Sequence, residues 1–191
     1  MATVYFVRHA ESDNKVREDA VRPLTKKGLA DCRLVTEFLQ NKDIAAVFSS
    51  PYKRAVDTIA DFAKSVGLPI EIVNDFRERE FGGVWVDDFR AFAEKQWNDF
   101  LYEAHNGESL AKVQARNVAA LKQVLAQNPG KNIVIGTHGT ALSTIINYYD
   151  NTYGFEDFMA MVNIMPWIVV MHFDCESGDC VYIDRVDLFA M

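Results

Sequence analysis

The sequence predicts an α/β fold: a three-layer α/β/α sandwich with a mostly parallel sheet and an antiparallel C-terminal hairpin. Three observations lead to this fold class. Short apolar runs rich in β-branched and aromatic residues alternate with longer segments whose apolar residues recur at helical spacing. Glycine and proline separate most of these segments. The last two apolar runs are joined by a short turn that contains Gly178, which is typical of an antiparallel hairpin.

The first half of the chain is expected to contain three strands separated by two helices. Residues 3–7 form an apolar run typical of a buried strand. The first helix is expected to begin at Thr25, a suitable N-cap residue. A second strand at 44–48 is followed by a helix whose first turn contains Pro51, because proline is well tolerated there. Residues 70–73 form a short third strand.

The second half begins with a polar loop and ends with the hairpin. Asparagine, proline and glycine mark the helix ends, and Ser109 is the expected N-cap of the helix that extends to about Gln127. The expected elements are the loop 75–83, helices at 86–104, 109–127 and 140–149, and strands at 133–135, 167–174 and 181–187.

Length and composition are those of a soluble globular protein. The 191 residues are expected to form a single domain, residues 1–191. The net charge of −7 argues against nucleic acid or an anionic membrane as the main partner. There is no apolar run of about 20 residues for a membrane span. The first residues do not resemble a signal peptide, so we expect a cytoplasmic location.

Histidine and arginine side chains follow three of the predicted parallel strands. Arg8 and His9 come directly after the first strand, Arg54 lies one helical turn beyond the second, and His138 follows the fourth. Ligands of open parallel sheets bind at the carboxyl ends of the strands. Arginine matches the geometry of phosphate oxygens, and neutral imidazole is a competent nucleophile near neutral pH. The pattern therefore favours phosphoryl transfer, with one histidine attacking phosphorus.

Two other interpretations fit some of these residues. A single histidine at a strand end is as often structural as catalytic. His9, Glu11 and His138 together would also suit an iron site with two histidines and one carboxylate. Arg8 and Arg54 argue against that site, because they would repel a cation. We therefore expect no metal and no cofactor.

A phosphoryl-transfer enzyme also needs an acid that protonates the leaving oxygen. The loop 75–83 supplies two candidates, Glu78 and Glu80, which would point the same way in an extended segment. Spacing alone does not choose between them.

At these residues the chain resembles the histidine phosphatase superfamily, which includes the cofactor-dependent phosphoglycerate mutases. The matching pieces occur in the family's order and extend from residue 4 to about residue 145. They are Arg8-His9-Ala10-Glu11-Ser12, Arg22-Pro23-Leu24-Thr25 with Gly28, Ser50 with Arg54-Ala55 and Thr58, Arg77-Glu78 with Phe81-Gly82, Gly107-Glu108-Ser109, and Thr137-His138-Gly139.

The resemblance implies a role for each member of the candidate site. His9 resembles the residue that becomes phosphohistidine, and Glu78 resembles the family's proton donor. His138, Arg8 and Arg54 resemble the rest of the phosphate pocket. Gly139 of the last motif and Asn14 are further candidates for substrate binding, although the family's usual asparagine position is Lys15 here and Asn14 comes one residue earlier. The implied ligand is a small phosphorylated metabolite, and the expected assembly is a monomer or a homodimer.

Phosphatases and mutases of this family differ after the glutamate loop. Mutases carry a longer insertion there with basic residues, whereas 84–106 contains only Arg90 and Lys95. The mutases' usual histidine two residues after the acid is Glu80 here. Both differences favour a phosphatase over a mutase-type phosphotransferase. A catalytically silent module that binds phosphorylated ligands is the third alternative.

The segment 84–106 is a candidate cap or lid over the site. Its aromatic residues would line a pocket for an apolar leaving group, although such a stripe at helical spacing is more often core packing. These residues are Trp85, Phe89, Phe92, Trp97 and Tyr102.

Overall fold

The computed structural model of the chain describes residues 1–83, 86–104 and 106–190. In these ranges, six strands form one sheet: β1 (Ala2–Arg8), β2 (Ile44–Ser49), β3 (Ile70–Ile72), β4 (Asn132–Thr137), β5 (Trp167–Phe173) and β6 (Cys180–Val186). The α-helices are α1 (Lys26–Leu39), α2 (Lys53–Val66), α3 (Phe89–Asn98), α4 (Leu110–Gln127), α5 (Gly139–Tyr149) and α6 (Phe155–Met161). A 3₁₀ turn at Asn74–Phe76 follows β3.

The strand order confirms the predicted fold class. The sheet runs β3-β2-β4-β1-β5-β6, with β4 parallel to both β1 and β2, and β3 parallel to β2. β5 is antiparallel to β1, and β6 is antiparallel to β5, so the C-terminal hairpin extends one edge of the parallel sheet. The carboxyl ends of β1, β2 and β4 therefore meet at one edge.

Alternating residues of the central strands build a core on each face of the sheet. Val4 and Phe6 of β1 point into a cluster with α4 and α5, whereas Tyr5 and Val7 contribute to a second cluster with α1 and α2. Successive strand side chains point to opposite faces, so a strand that is apolar at every position must be covered on both sides. Helices on both faces complete the three layers.

The predicted N-caps of two helices are confirmed. The Thr25 hydroxyl accepts a hydrogen bond from the Gly28 amide at 3.0 Å, and α1 begins at the next residue after Thr25. The Ser109 hydroxyl accepts one from the Lys112 amide at the start of α4.

Several predicted helix and strand bounds were wrong. α2 begins at Lys53 and not at Pro51, because the Ser50 hydroxyl accepts from the Tyr52 amide and keeps the chain in a turn before the helix. The helix predicted at 86–104 is α3 and covers only residues 89–98, since the Asp88 carboxylate caps it. The short helix α6 was not predicted at all.

The aromatic residues of α3 pack against neighbouring helices and the core. The Trp97 ring lies 5.6 Å from that of Phe158 on α6 and 5.9 Å from that of Tyr153, and the Phe89 ring also contacts Phe158. Trp85, also assigned to the candidate lid, lies outside the described residues. That 84–106 acts as a lid stays a prediction. In the described part of the chain, no helix is long and apolar enough to cross a membrane.

Candidate active site

Backbone hydrogen bonds join the carboxyl ends of β1, β2 and β4. The His9 amide donates to the Thr137 carbonyl at 3.0 Å, and the Ser50 amide donates to the Gly136 carbonyl at 2.9 Å. These bonds continue the sheet one residue past each strand. They bring His9, Ser50 and His138 together where the strands end.

The two histidines lie side by side and are buried. Their ring centroids are 5.3 Å apart. Nδ1 of His9 lies 2.7 Å from the Ala10 carbonyl oxygen, which can only accept, so Nδ1 carries the proton and Nε2 keeps a free lone pair. Nε2 of His138 lies 2.7 Å from the Ser50 hydroxyl oxygen. Nδ1 of His138 is buried and has no hydrogen-bond partner among the described residues.

Both imidazoles are neutral at neutral pH. Burial lowers the pKa of His9 well below its ordinary value, and the positive charges of Arg54 and Arg8 lower it further. Burial likewise lowers the pKa of His138, followed by the charges of Arg54 and of a protonated His9. A neutral imidazole with a free Nε2 has the protonation state that a nucleophile requires.

Arg8 is fixed by the C-terminal end of α6. Its Nη1 donates to the carbonyls of Met161 and Ile164 at 2.7 and 3.0 Å, and its Nη2 donates to the Val162 carbonyl at 2.9 Å. Nε is buried and has no partner among the described residues. Burial lowers the pKa of Arg8 to about 10, with the Glu78 carboxylate opposing this effect, so the side chain remains a cation. The N–H group of Nε is therefore left for a ligand.

Arg54 is held from the other side by Asp19. Its Nη1 donates to the Asp19 backbone carbonyl at 2.6 Å and lies 3.1 Å from the Asp19 carboxylate, which also pairs with Arg22. The guanidinium lies 5.1 Å from the centroid of the Tyr52 ring. Nε of Arg54 is buried and lacks a partner among the described residues. Arg8 is thus held through both Nη atoms and Arg54 through Nη1, and in each of them Nε has no partner among the described residues.

Glu78 lies at the N-terminus of α5, the helix that follows His138. Its Oε2 accepts from the Thr140 amide at 2.9 Å, and its Oε1 accepts from the amides of Ala141 and Arg79 at 3.1 and 2.7 Å. These amides fix the Glu78 carboxyl group at the start of α5, next to His138.

Comparison with known proteins establishes the family of the chain. The family described as "Histidine phosphatase superfamily (branch 1)" matches residues 4–173. The chain belongs to this superfamily. An uncharacterized phosphatase, PhoE of Bacillus subtilis (strain 168), is 28% identical over 153 residues, which cover 76% of each chain. A probable phosphoglycerate mutase, GpmB of Serratia proteamaculans (strain 568), is 29% identical over 161 residues, covering 77% of this chain and 74% of that protein.

Solved structures of the same fold cover almost the whole chain. YhfR of Bacillus stearothermophilus superposes with a TM-score of 0.79 over 98% of this chain and 99% of its own, at 22% sequence identity. At that identity the likeness establishes the histidine phosphatase fold and not the reaction.

The structure brings together most of the candidate residues. His9, His138, Arg8, Arg54 and Glu78 converge at the strand ends, as described above. Of the two glutamates that spacing left open, Glu78 belongs to this cluster. The Glu80 side chain is more than half exposed and lies 3.2 Å from Nε of Arg77.

Gly139 lies beside the cluster, whereas Asn14 does not. A Cβ atom on Gly139 would lie 3.3 Å from Nε of Arg8, so this glycine leaves room for the arginine. Asn14 lies in an exposed turn, and its side chain makes no hydrogen bond within the described part of the chain. The structure therefore does not bring Asn14 into the cluster, and its contact with substrate stays a prediction.

Four side chains of this histidine phosphatase site were not assigned a role from the sequence. The Thr58 hydroxyl accepts from the Ala10 amide at 2.9 Å and donates to the Arg54 carbonyl, which links the strand carrying His9 to α2. Tyr52 packs edge-on against His138 at 5.2 Å. The remaining two, Ser50 and Asp19, are described above. Ser50 and Thr58 belong to the family motif, which was a signal for their importance, whereas no signal in the sequence marked Asp19.

The described residues contain no cluster of three or more His, Cys, Asp or Glu side chains that is arranged to hold a metal ion. Glu11, the carboxylate of the alternative iron site, accepts a hydrogen bond from the Thr25 hydroxyl at 2.7 Å. The Glu11 backbone carbonyl also accepts a hydrogen bond from the Thr25 amide, at the start of α1.

Proposed function

We propose that this chain is a metal-independent phosphomonoester hydrolase that acts on a small phosphorylated metabolite through a phosphohistidine intermediate. The observation that carries the proposal is the state of His9. Its Nδ1–H donates to the Ala10 carbonyl, and its Nε2 and the Nε atoms of two buried arginines have no hydrogen-bond partner among the described residues.

In the first step, Nε2 of His9 attacks phosphorus, and the bond between phosphorus and the leaving oxygen breaks. The two arginines and His138 stabilise the charge on the equatorial oxygens. The protonated Glu78 carboxyl group donates its proton to the leaving oxygen. Oε2 is the oxygen suited to this transfer, because it accepts one backbone N–H whereas Oε1 accepts two.

In the second step, water attacks the phosphohistidine. The Glu78 carboxylate takes a proton from the water, the bond between Nε2 and phosphorus breaks, and inorganic phosphate leaves. The neutral imidazole and the protonated carboxyl group are restored, so protons and charge balance over the cycle.

The environment of 84–106 supports a phosphatase over a mutase. A mutase must bind a second anionic group of its substrate, yet both cations of this segment already have partners. Arg90 lies against the Phe155 ring at 5.1 Å and 3.8 Å from the Glu156 carboxylate. Lys95 lies 3.9 Å from the centroid of the Tyr102 ring.

The test is turnover of p-nitrophenyl phosphate and of a panel of phosphorylated metabolites, with and without a chelator. We expect phosphate release that the chelator does not change and that His9→Ala abolishes. His172→Gln is the matched control, because this histidine lies on β5 and contacts Thr3, away from the cluster. We expect it to retain full activity.

Other outcomes point to the other functions. Turnover that the chelator abolishes would indicate a metal site. Transfer of phosphate between the hydroxyls of a phosphoglycerate without its release would indicate a mutase. Binding of phosphate without any turnover would indicate a silent binding module.

A further inference from the structure

Arg116 of α4 donates all five of its N–H groups, and all of them go to the loop that carries Glu78 or to Glu108. Nε and Nη2 form a fork on the Glu108 carboxylate, both at 2.8 Å. Nη1 donates to the backbone carbonyls of Asp75 and Arg77 at 2.7 Å each, and Nη2 also donates to the Glu78 carbonyl at 3.1 Å. An arginine offers five donors in one plane, so none is left for a ligand.

Glu108 completes the attachment from the other side of the loop. Its Oε2 accepts from the Glu80 amide at 3.1 Å, and its own amide donates to the Glu80 carbonyl at 2.9 Å. Its Oε1 also accepts from Nη2 of Arg77 at 3.3 Å. Burial would raise the pKa of Glu108, but the hydrogen bond and charge of Arg116 outweigh it and lower the pKa below its ordinary value. The pair is therefore ionised at neutral pH.

These contacts fix the backbone on both sides of Glu78. Arg116 binds the carbonyls of residues 75, 77 and 78, and Glu108 binds the backbone of residue 80. The carboxylate of Glu78 is fixed separately, by the amides at the start of α5. Two side chains outside the phosphate cluster thus determine where the backbone of Glu78 lies relative to His9.

We propose that Arg116, together with Glu108, is a positioning residue for the proton donor of the reaction. It keeps the Glu78 carboxyl group at the distance from the leaving oxygen that proton transfer requires. This inference rests on the proposed function, in which Glu78 is that donor. A misplacement of about 1 Å costs on the order of a hundredfold in rate, so such a fixed backbone has a kinetic consequence.

Arg116→Lys is the informative substitution. Lysine retains the positive charge, but its three N–H groups lie on one atom and do not reproduce a fork on Glu108 together with three carbonyl contacts. The loop should lose its fixed position while the histidines and arginines of the cluster keep theirs. Glu108→Gln is the second variant, because it keeps the side-chain shape and removes the charge.

The assay compares phenyl phosphate with p-nitrophenyl phosphate, two substrates of nearly the same shape. Phenol is a much weaker acid than p-nitrophenol, so its departure depends far more on a proton donor. For Arg116→Lys we expect kcat/KM, which reports the transfer of phosphate to His9, to fall about 10- to 100-fold on phenyl phosphate and less than about threefold on p-nitrophenyl phosphate. In Glu78→Gln the further change Arg116→Lys should cost almost nothing more.

Two control variants separate a loss of positioning from a general loss of stability. Arg33→Lys replaces an arginine whose guanidinium pairs with Glu37 on the surface of α1, and it should change nothing. Val124→Ala removes buried side-chain atoms from the other end of α4, so it should destabilise the fold without leaving-group dependence.

The possible failures are distinguishable. If Glu78→Gln lowers kcat/KM equally on both substrates, Glu78 is not the proton donor, and the positioning role falls with the proposed function. If Glu78→Gln shows the leaving-group dependence but both Arg116→Lys and Glu108→Gln do not, only the positioning role is overturned. Equal losses on both substrates in these two variants, matching those of Val124→Ala, would also overturn it.

Discussion

Replacing Gly139 with alanine should disturb Arg8 without disturbing the fold. The added Cβ would lie 3.3 Å from Nε of Arg8 and 3.4 Å from both Cζ and Nη2, which is tighter than an ordinary contact. Arg8 has little freedom to retreat, because three backbone carbonyls at the end of α6 hold its Nη atoms. The guanidinium or the start of α5 must therefore shift by a few tenths of an ångström.

The expected effect on stability is small and the expected effect on rate is large. Overpacking costs about 1–3 kcal/mol. Alanine is favoured over glycine in a helix by about 1 kcal/mol, which offsets part of this cost. The net loss should therefore lie near 0–2 kcal/mol. Removing one donor to a transition-state oxyanion costs about 10²–10³ in kcat. Because Arg8 is displaced and not removed, we expect a loss of about 10- to 100-fold.

The assay is steady-state hydrolysis of p-nitrophenyl phosphate, with the free energy of unfolding measured in urea. Gly154→Ala is the matched control, because a Cβ at that position meets no atom within 4 Å. It should leave kcat unchanged. A Gly139→Ala variant whose kcat lies within about twofold of the unsubstituted protein would refute the role assigned to Nε of Arg8.

Two further predictions concern stability. Burial lowers the pKa of His9 and of His138, so below about pH 6.5 the unfolded chain binds protons that the folded chain does not. The free energy of unfolding is therefore at its full value above about pH 6.5. Below that pH it falls by about 1.4 kcal/mol per pH unit for each histidine. Urea unfolding in phosphate-free buffer should therefore show a shallower pH dependence for His9→Ala, and parallel curves would contradict this. Gln96 accepts a hydrogen bond from the buried Arg79 cation and donates to the carbonyls of Tyr102 and Glu108. Gln96→Leu should lower the free energy of unfolding by about 2–4 kcal/mol, and a loss below about 1 kcal/mol would show that Arg79 finds another partner.

Local signals in the sequence were sufficient for the strands and for most helices. A continuous apolar run such as β1 is stable only as a strand that is covered on both faces. The hydroxyl groups of Thr25 and Ser109 directly indicate where α1 and α4 begin. The start of α2 was misplaced because the Ser50 hydroxyl bonds to the Tyr52 amide and to His138. The second of these partners is 88 residues away in the chain.

The hydrogen-bond partners of the site residues could not be predicted from local sequence patterns. The carbonyls that hold Arg8 come from residues more than 150 positions away, at the end of a helix too short to give a clear periodic signal. The choice between Glu78 and Glu80 depends on how the loop meets α5, and the residues that fix this loop lie on and just before α4. The residue types and their positions after the strands predicted phosphoryl transfer, whereas the orientation of the side chains is known only from the folded chain.

The central claim is that the phosphoryl group passes through His9. The most direct measurement is rapid quenching of the enzyme during turnover of a ³²P-labelled phosphomonoester, followed by mapping of the labelled residue. The account predicts a label on His9 that is lost in acid and stable in alkali, as expected for a phosphoramidate, and that is absent in His9→Ala. Full turnover with no label on His9, or with the label on another residue, would contradict it.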